Sequence, residues 1–250
     1  MNTVMVEFSK LRRLRLPLLM GVLGGAVVLF SCLNLFAGST QELFDDPGAQ
    51  VWEQHLIGYI MASGLLLPIM AAVVASRIVD IEHTGNGWLL AAGAGQRPGM
   101  VCRTKLAVLA PIVLVQTLLQ FAGVLIVPKL LGLATAPGWS EWTLFLIGSF
   151  GTTMALVALH VIVAARIESQ LVGLALGVIG GFIGVFSILM PPWLAALTPW
   201  GYYAVLSPYT FGEDAVVRTI EPMWLLWTLF CVLVAVLFWL FTRRLDTREV

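Results

Sequence analysis

Six long stretches of this chain contain no Asp, Glu, Lys or Arg, although the sequence carries 14 acidic and 14 basic residues. They span residues 17–37, 56–76, 106–127, 142–165, 171–190 and 223–241. A helix rises ~1.5 Å per residue and the hydrocarbon core of a bilayer is ~30 Å thick, so each run is long enough to cross once. Strands of membrane barrels are shorter, ~10 residues, and alternate in polarity. The sequence therefore predicts an all-α membrane protein with six transmembrane helices, in a single domain over residues 1–250.

The basic residues are distributed unevenly between the connecting segments. If the N-terminus lies in the cytoplasm, 12 of the 14 Lys and Arg residues are cytoplasmic, and only Lys129 and Arg218 lie outside. By the positive-inside rule, this bias predicts that both termini are cytoplasmic. The first run has 21 residues, against ~7–15 for the apolar region of a secretory signal, so we expect it to remain as a span.

Two segments outside the runs have patterns of their own. Residues 4–15 place apolar side chains on one helical face among basic residues, which predicts an amphipathic helix at the membrane interface. A plain basic tail that fixes topology is the alternative. Residues 191–222 are rich in Trp, Tyr and Pro. Because amphipathic rings prefer the headgroup level, we expect a re-entrant segment folded along the outer surface before helix six.

Small residues recur at helical spacing in two of the runs. Gly21 and Gly25 lie four residues apart in the first run, and Gly173, Gly177 and Gly181 follow the same spacing in the fifth. Small residues at this spacing let two helix backbones approach closely. The pattern predicts close packing, either within one subunit or across a dimer interface.

A few polar side chains interrupt the apolar runs. Gln116 and Gln120 share a face of the third run, and Thr153 and His160 share a face of the fourth. Polar side chains in spans turn toward other helices or a wet cavity. Hydrogen bonding between helices is the favoured interpretation, and contact with a transported substrate is the alternative.

Several kinds of chemistry are missing from the chain. No Lys follows a Gly, so a Walker A phosphate-binding loop is excluded. The spans hold no carboxylate or Arg of the kind that ion-coupled transporters use. The three His residues lack metal-ligand spacing, and the three Cys residues form no close pair. We therefore expect no catalytic residue, no metal and no cofactor on this chain, and no enzymatic activity of its own.

Residues 77–105, between the second and third runs, carry the most specific pattern. The order is Glu82-His83, then Gly87-Trp88-Leu89-Leu90, then Arg97 and Lys105. An acidic helical extension, an amphipathic turn with an exposed Trp and a basic return are typical of a docking surface. An ordinary solvated loop that fixes topology is the alternative. With the six-span layout, the pattern resembles the ABC-2-type permeases, and most closely their lantibiotic-immunity and bacitracin-resistance branch.

The resemblance implies a permease subunit of an ATP-driven exporter in the bacterial cytoplasmic membrane. ATP and Mg²⁺ would be bound by separate ABC ATPase chains, and a second permease, identical or related, would complete the pathway. Glu82 and His83 would lie near the ATPase, with Glu82 at the rim of the contact, and Gly87–Leu90 would form the turn that packs into its groove. The substrate would be an antimicrobial peptide or another amphiphilic compound, expelled for self-immunity or resistance. No nucleic-acid partner is implied.

Three other functions remain open at this point. They are a motor-free channel or scramblase-like protein, an ion-coupled exporter, and an accessory subunit of a sensor or biosynthetic complex. Copurification of an ATPase argues against the first, and transport that persists after collapse of the proton gradient argues against the second. The third predicts no transport at all.

Overall fold

The computed structural model describes residues 7, 14–211 and 216–247. In chain order the helices are α1 (Leu16–Cys32), α2 (Gly38–Gln41), α3 (Val51–Thr84), α4 (Gly87–Gly93), α5 (Pro98–Leu130), α6 (Trp139–Arg166), α7 (Gln170–Phe186), α8 (Pro192–Ala195), α9 (Tyr202–Val205) and α10 (Trp224–Asp246). Six of them, α1, α3, α5, α6, α7 and α10, are long and apolar enough to cross a membrane. The predicted all-α membrane fold is confirmed. The amphipathic helix predicted for residues 4–15 lies almost entirely outside the described residues.

Two of the spans continue well beyond their charge-free runs. Helix α3 extends past Ser76 to Thr84, and α5 begins at Pro98 instead of near Leu106. Proline suits the first helical position, because the N–H that it lacks has no partner there. The acidic helical extension expected after the second run is present. The rest of residues 77–105 is also mostly helical, and within that segment only residues 85–86 and 94–97 lie outside helices.

Helix α3 is the centre of the bundle. In its most apolar stretch 67% of the residues are buried, against 22% for α10 at the periphery. Its largest contact is with α7, where small residues face each other. A Cβ on Gly64 of α3 would lie 2.9 Å from the carbonyl oxygen of Gly184 on α7, so the two backbones touch. Close approach of this kind is how glycines promote association in lipid.

The segment before α10 folds back onto the bundle. It contains α8, α9 and an antiparallel hairpin of β1 (Tyr209–Phe211) and β2 (Val217–Thr219), in which Thr210 pairs with Arg218. Three-residue strands are too short to produce a readable alternation, and the sequence did not predict them.

The expectation that the aromatic rings of this segment lie along the outer surface is wrong for its tyrosines. Tyr203 is fully buried, and its hydroxyl lies 2.9 Å from Thr153 Oγ1 on α6. Tyr202 stacks on Phe230 of α10. Neighbouring helices thus supply a hydrogen-bond partner for the Tyr203 hydroxyl and a ring contact for Tyr202 within the protein. Trp193, by contrast, is 61% exposed.

The connecting segments divide the bundle into two ends of different charge. We call the end that carries residues 77–105 and 166–169 and the C-terminus of α10 the basic end. We call the end that carries residues 37–50, 131–138, 187–211 and 216–223 the acidic end. Among the described residues, the cations of the basic end are Arg15, Arg77, Arg97, Arg103, Lys105, Arg166, Arg243 and Arg244.

Candidate functional site at the basic end

The site is built on a tight turn between α3 and α4. Asn86 adopts the left-handed conformation, with φ of 50°, which Asn tolerates better than most residues. Gly87 then begins α4 directly against the end of α3. A Cβ at this position would lie 2.7 Å from Glu82 Cα and would also overlap the Glu82 carboxylate. The absence of a side chain at residue 87 allows α4 to fold back onto α3.

A buried ion pair lies beneath this turn. Lys105 on α5 is 0% exposed, and its Nζ donates to Glu82 Oε1 at 2.7 Å and to Glu7 Oε2 at 2.8 Å. Removing one partner of a buried pair costs ~3–5 kcal/mol, because a buried charge is left uncompensated. The pair therefore fixes the end of α3 against the start of α5 and joins both to Glu7.

This geometry corrects the surface position predicted for Glu82. Its side chain is only 2% exposed, so it cannot form the rim of a docking surface. The prediction was wrong because Lys105, 23 residues further along the chain, lies next to Glu82 in space. Nothing in the local sequence marks that pairing.

His83 and Trp88 hold α4 from its other side. His83 Nε2 lies 2.9 Å from the carbonyl oxygen of Ala164 at the end of α6, and Trp88 Nε1 donates to His83 Nδ1 at 3.3 Å. The rings meet edge to face, with centroids 5.7 Å apart. Both bonds fit a neutral imidazole that carries its proton on Nε2. Trp88 is half-buried against the core, so the prediction of an exposed Trp is wrong.

Leu89 and Leu90 are the apolar side chains that α4 leaves in contact with solvent, at 64% and 70% exposure. Eight residues of helix separate Ser76 from Thr84, about 12 Å at ~1.5 Å per residue. The headgroup layer on each side of a bilayer is only ~5–8 Å thick. With the hydrocarbon edge taken at the end of the charge-free run, helix α4 begins on the aqueous side of that layer. An open groove of about 520 Å³ runs beside Leu90 between α3, α4 and α5.

A second link connects α10 to the same end. Asp246 Oδ1 accepts from the backbone N–H of Met100 at 3.1 Å, and its Oδ2 accepts from Arg103 at 2.7 Å. A carboxylate here caps the first turn of α5 and complements its dipole. Gly99 lies so close to the Thr242 carbonyl that a Cβ would overlap it. The two partners are more than 140 residues apart, and no motif marked them.

The glycines predicted as packing positions have two different surroundings. Gly173, Gly177 and Gly181 of α7 face α3, and a Cβ on Gly177 would lie 3.1 Å from the Pro68 carbonyl oxygen. Gly21 and Gly25 of α1 lie on an exposed face, and within the described chain nothing is within 4 Å of a Cβ built at either. Only the α7 set therefore packs within this subunit.

The polar residues predicted inside the spans are all buried. Gln116 and Gln120 on α5 face α1, where a Cβ on Gly24 would lie 3.1 Å from Gln120 Nε2. Thr153 bonds to Tyr203, and His160, also on α6, is 4% exposed. Gln116 and Gln120 thus lie between helices α5 and α1, while Thr153 links α6 to the segment before α10.

The described part of the chain contains no cluster of three His, Cys, Asp or Glu residues that could hold a metal ion. Cys32, Cys102 and Cys231 are free thiols. At the basic end Lys105, Glu82 and Glu7 are joined to one another, as are Arg103 and Asp246, while Leu89 and Leu90 on α4 stay exposed.

The six spans define a multi-pass helical membrane protein. Its basic end carries the short helix α4, which is held against α3 outside the apolar runs. Residues 3–184 match the family described as ABC-2 family transporter protein. This is well over half of the 250 residues, so the chain belongs to the ABC-2 family and is a permease subunit of an ABC transporter. Comparison with curated proteins gives no match.

Membership of this family implies an ABC ATPase as partner and indicates a transport subunit instead of an enzyme. The matched region contains α4, the Glu82–Lys105 pair and the α3–α6 spans. It ends within α7, so the segment before α10 and α10 itself lie outside it.

Proposed function

We propose that this permease docks a separate ABC ATPase through α4 and exports an amphiphilic compound across a bacterial cytoplasmic membrane. The observation that carries the proposal is the contrast within α4. Trp88 and Gly87 are fixed against α3, while Leu89 and Leu90 are 64% and 70% exposed. An exposed apolar pair on a rigid element, in water, is typical of a protein contact site.

The basic end faces the cytoplasm in this proposal, with both termini on that side. Of the 14 Lys and Arg residues, 12 belong to that end, its flanking tails included, and the acidic end has Lys129 and Arg218. Cytoplasmic loops carry such an excess. This orientation places α4 in the compartment that supplies ATP.

The buried contacts around α4 give the ATPase a way to act on the spans. Leu89 and Leu90 contact the ATPase, which binds ATP and Mg²⁺. A displacement of α4 is passed to α3 and α5 through Glu82 and Lys105, and to α6 through His83. Packed, ion-paired elements move as units because interiors are close-packed. In this way closure of the ATPase switches the pathway from opening on one side of the membrane to opening on the other.

The pathway lies between two permease subunits, identical or related. The exposed α1 face with Gly21 and Gly25 is free to pack against a second subunit. The six apolar runs carry no Asp, Glu, Lys or Arg that could line the pathway. A pathway of this kind favours a substrate with a large apolar surface. An antimicrobial peptide, exported for self-immunity or resistance as in the branch that the loop pattern resembles, fits this description.

The test is copurification of the ABC ATPase from cells that express the tagged permease. The double substitution Leu89→Ser and Leu90→Ser should reduce the recovered ATPase at least tenfold, since apolar anchors at interface centres are worth ~2 kcal/mol or more. Membrane abundance should stay normal, because both side chains are exposed. The matched control is Leu130→Ser at the acidic end, where the leucine is 79% exposed. Equal recovery with all three proteins, or no ATPase with wild type, would refute the proposal.

A further inference from the structure

An apolar groove lies at the acidic end, on the opposite side of the bundle from α4. It has a volume of about 600 Å³, within the ~300–1,000 Å³ typical of pockets for drug-sized ligands. One wall comes from the segment between α7 and α8 and the start of α8, and the other from β1 and the residues before α10. Its apolar lining includes Ile188, Met190, Trp193, Phe211, Ile220 and Met223.

A single charged side chain, Glu221, is part of the described lining. Glu221 is exposed, and within the described chain no Lys, Arg or His lies at ion-pair distance from its carboxylate. Thr210 adds a hydroxyl to the same lining. A mostly apolar groove with a few polar groups is the usual form of a site for a small amphiphile.

The acidic end, which holds the groove, carries more negative than positive charge. The acidic side chains of this end in the described chain are Glu42, Asp45, Asp46, Glu53, Glu141 and Glu221. This end has two cations in the described chain. Lys129 already donates to the Leu133 and Ala134 carbonyls and lies over the Trp52 ring. Arg218 is exposed on β2 opposite Thr210 and is not part of the groove lining. Burial, with Glu141 and Glu53 adding to it, raises the pKa of Tyr209 to about 12. A field of one sign concentrates ligands of the opposite sign.

We propose that this groove binds a cationic amphiphile, with its apolar chain on Trp193 and Phe211 and its positive head at Glu221. The proposal rests on the proposed export function and narrows its substrate class to positively charged amphiphiles. The exposed Trp193 ring also offers its face to a cation. A second permease copy fits less well, because a two-fold contact centred here would bring two Glu221 side chains together.

The experiment measures binding to the full chain in nanodiscs of zwitterionic lipid. The probe is undecyltrimethylammonium with bromine at the end of its chain, which quenches Trp on contact. Its uncharged counterpart is the undecyl maltoside with the same bromine. The signal of Trp193 is isolated as the difference between wild type and Trp193→Phe. We expect saturable quenching of this signal, at lower concentration for the cationic probe.

The charge dependence is tested with Glu221→Gln and the matched control Glu42→Gln. Glu221→Gln should weaken binding of the cationic probe about threefold to fivefold, as expected for one ion pair at an exposed site. Binding of the uncharged probe should not change. Glu42→Gln should affect the cationic probe much less than Glu221→Gln does, because Glu42 is not part of the groove lining. High salt should weaken binding of the cationic probe more in wild type than in Glu221→Gln, because the variant lacks the carboxylate that contacts the head.

Three outcomes would overturn the inference. They are equal affinity of the two probes, equal effects of Glu221→Gln and Glu42→Gln, and quenching that never saturates. Protection of Trp193 that appears only in cross-linked permease dimers would assign the groove to a second copy. Because the assay contains no ATPase, failure here with intact ATPase copurification removes only this inference. Loss of copurification with probe binding intact would instead remove the proposed docking function.

Discussion

The basic and acidic ends of this permease differ in which charged side chains they bury and which they expose. At the basic end, Lys105 is 0% exposed and bonded to two carboxylates, while Leu89 and Leu90 are left in contact with solvent. At the acidic end, Tyr203 is buried, while Glu221 is exposed beside an apolar groove. Buried ion pairs at one end hold a helix in place, and exposed carboxylates at the other create a field.

The difference indicates two kinds of partner. A rigid helix with apolar side chains in water favours a protein surface, whose binding energy comes from desolvated anchors. A groove with an exposed carboxylate favours a small ligand of opposite charge, for which steering matters more than area. The family implies the first partner, an ABC ATPase.

The largest expected effect is at Lys105. Lys105→Met removes the ammonium that both Glu82 and Glu7 contact, and we expect a loss of ~3–5 kcal/mol of stability. Thermal unfolding in detergent and abundance in the membrane both report it. Arg97→Met is the control, since Arg97 is exposed and a surface change of this kind stays within ~0.5 kcal/mol. Equal stability of the two variants would show that the buried pair does not hold the basic end together.

Gly87 offers a smaller test of the same end. Gly87→Ala should cost ~1–3 kcal/mol, because its Cβ would overlap Glu82 and push α4 away from α3. Gly93→Ala, in the same helix, is the matched control, because nothing lies within 4 Å of a Cβ there. The control should be neutral or slightly stabilising, since Ala favours helix. The readouts are the melting temperature and ATPase recovery. If both alanine variants behave alike, the close approach of α4 to α3 is unimportant.

The smallest expected effect is at the acidic end. Tyr203→Phe removes one hydroxyl from a buried hydrogen bond with Thr153 and should cost ~1 kcal/mol. Trp193→Phe, at an exposed position, should leave unfolding unchanged. Chemical denaturation of the two variants compares them directly. A loss at Tyr203 as large as that at Lys105 would remove the distinction between the two ends.

Hydropathy and charge were enough to predict the six spans, because lipid excludes unpaired charge from a helix. The pattern of residues 77–83 also predicted the helical extension of α3. The start of α5 at Pro98 was not predicted, since a helix can continue beyond its apolar run without any hydropathy signal. In the sequence Gly85 and Pro98 mark those ends only weakly.

The contacts of the site were the least predictable part. The pairing of Glu82 with Lys105 and of Arg103 with Asp246 depends on how distant helices pack. The burial of Trp88 depends on an acceptor, His83, that is itself held by α6. The local pattern did mark residues 82–90 as a distinct element. It could not tell which of those residues face the protein interior.

The most direct test of α4 as the docking element is site-specific cross-linking in native membranes. A photoreactive p-benzoylphenylalanine replaces Leu89 or Leu90 on α4, or, as the control, Leu197 at the acidic end, which is 72% exposed. We expect cross-links to the ABC ATPase from Leu89 and Leu90 and none from Leu197. An ATPase cross-link from Leu197, or none from either position on α4, would contradict docking at the basic end.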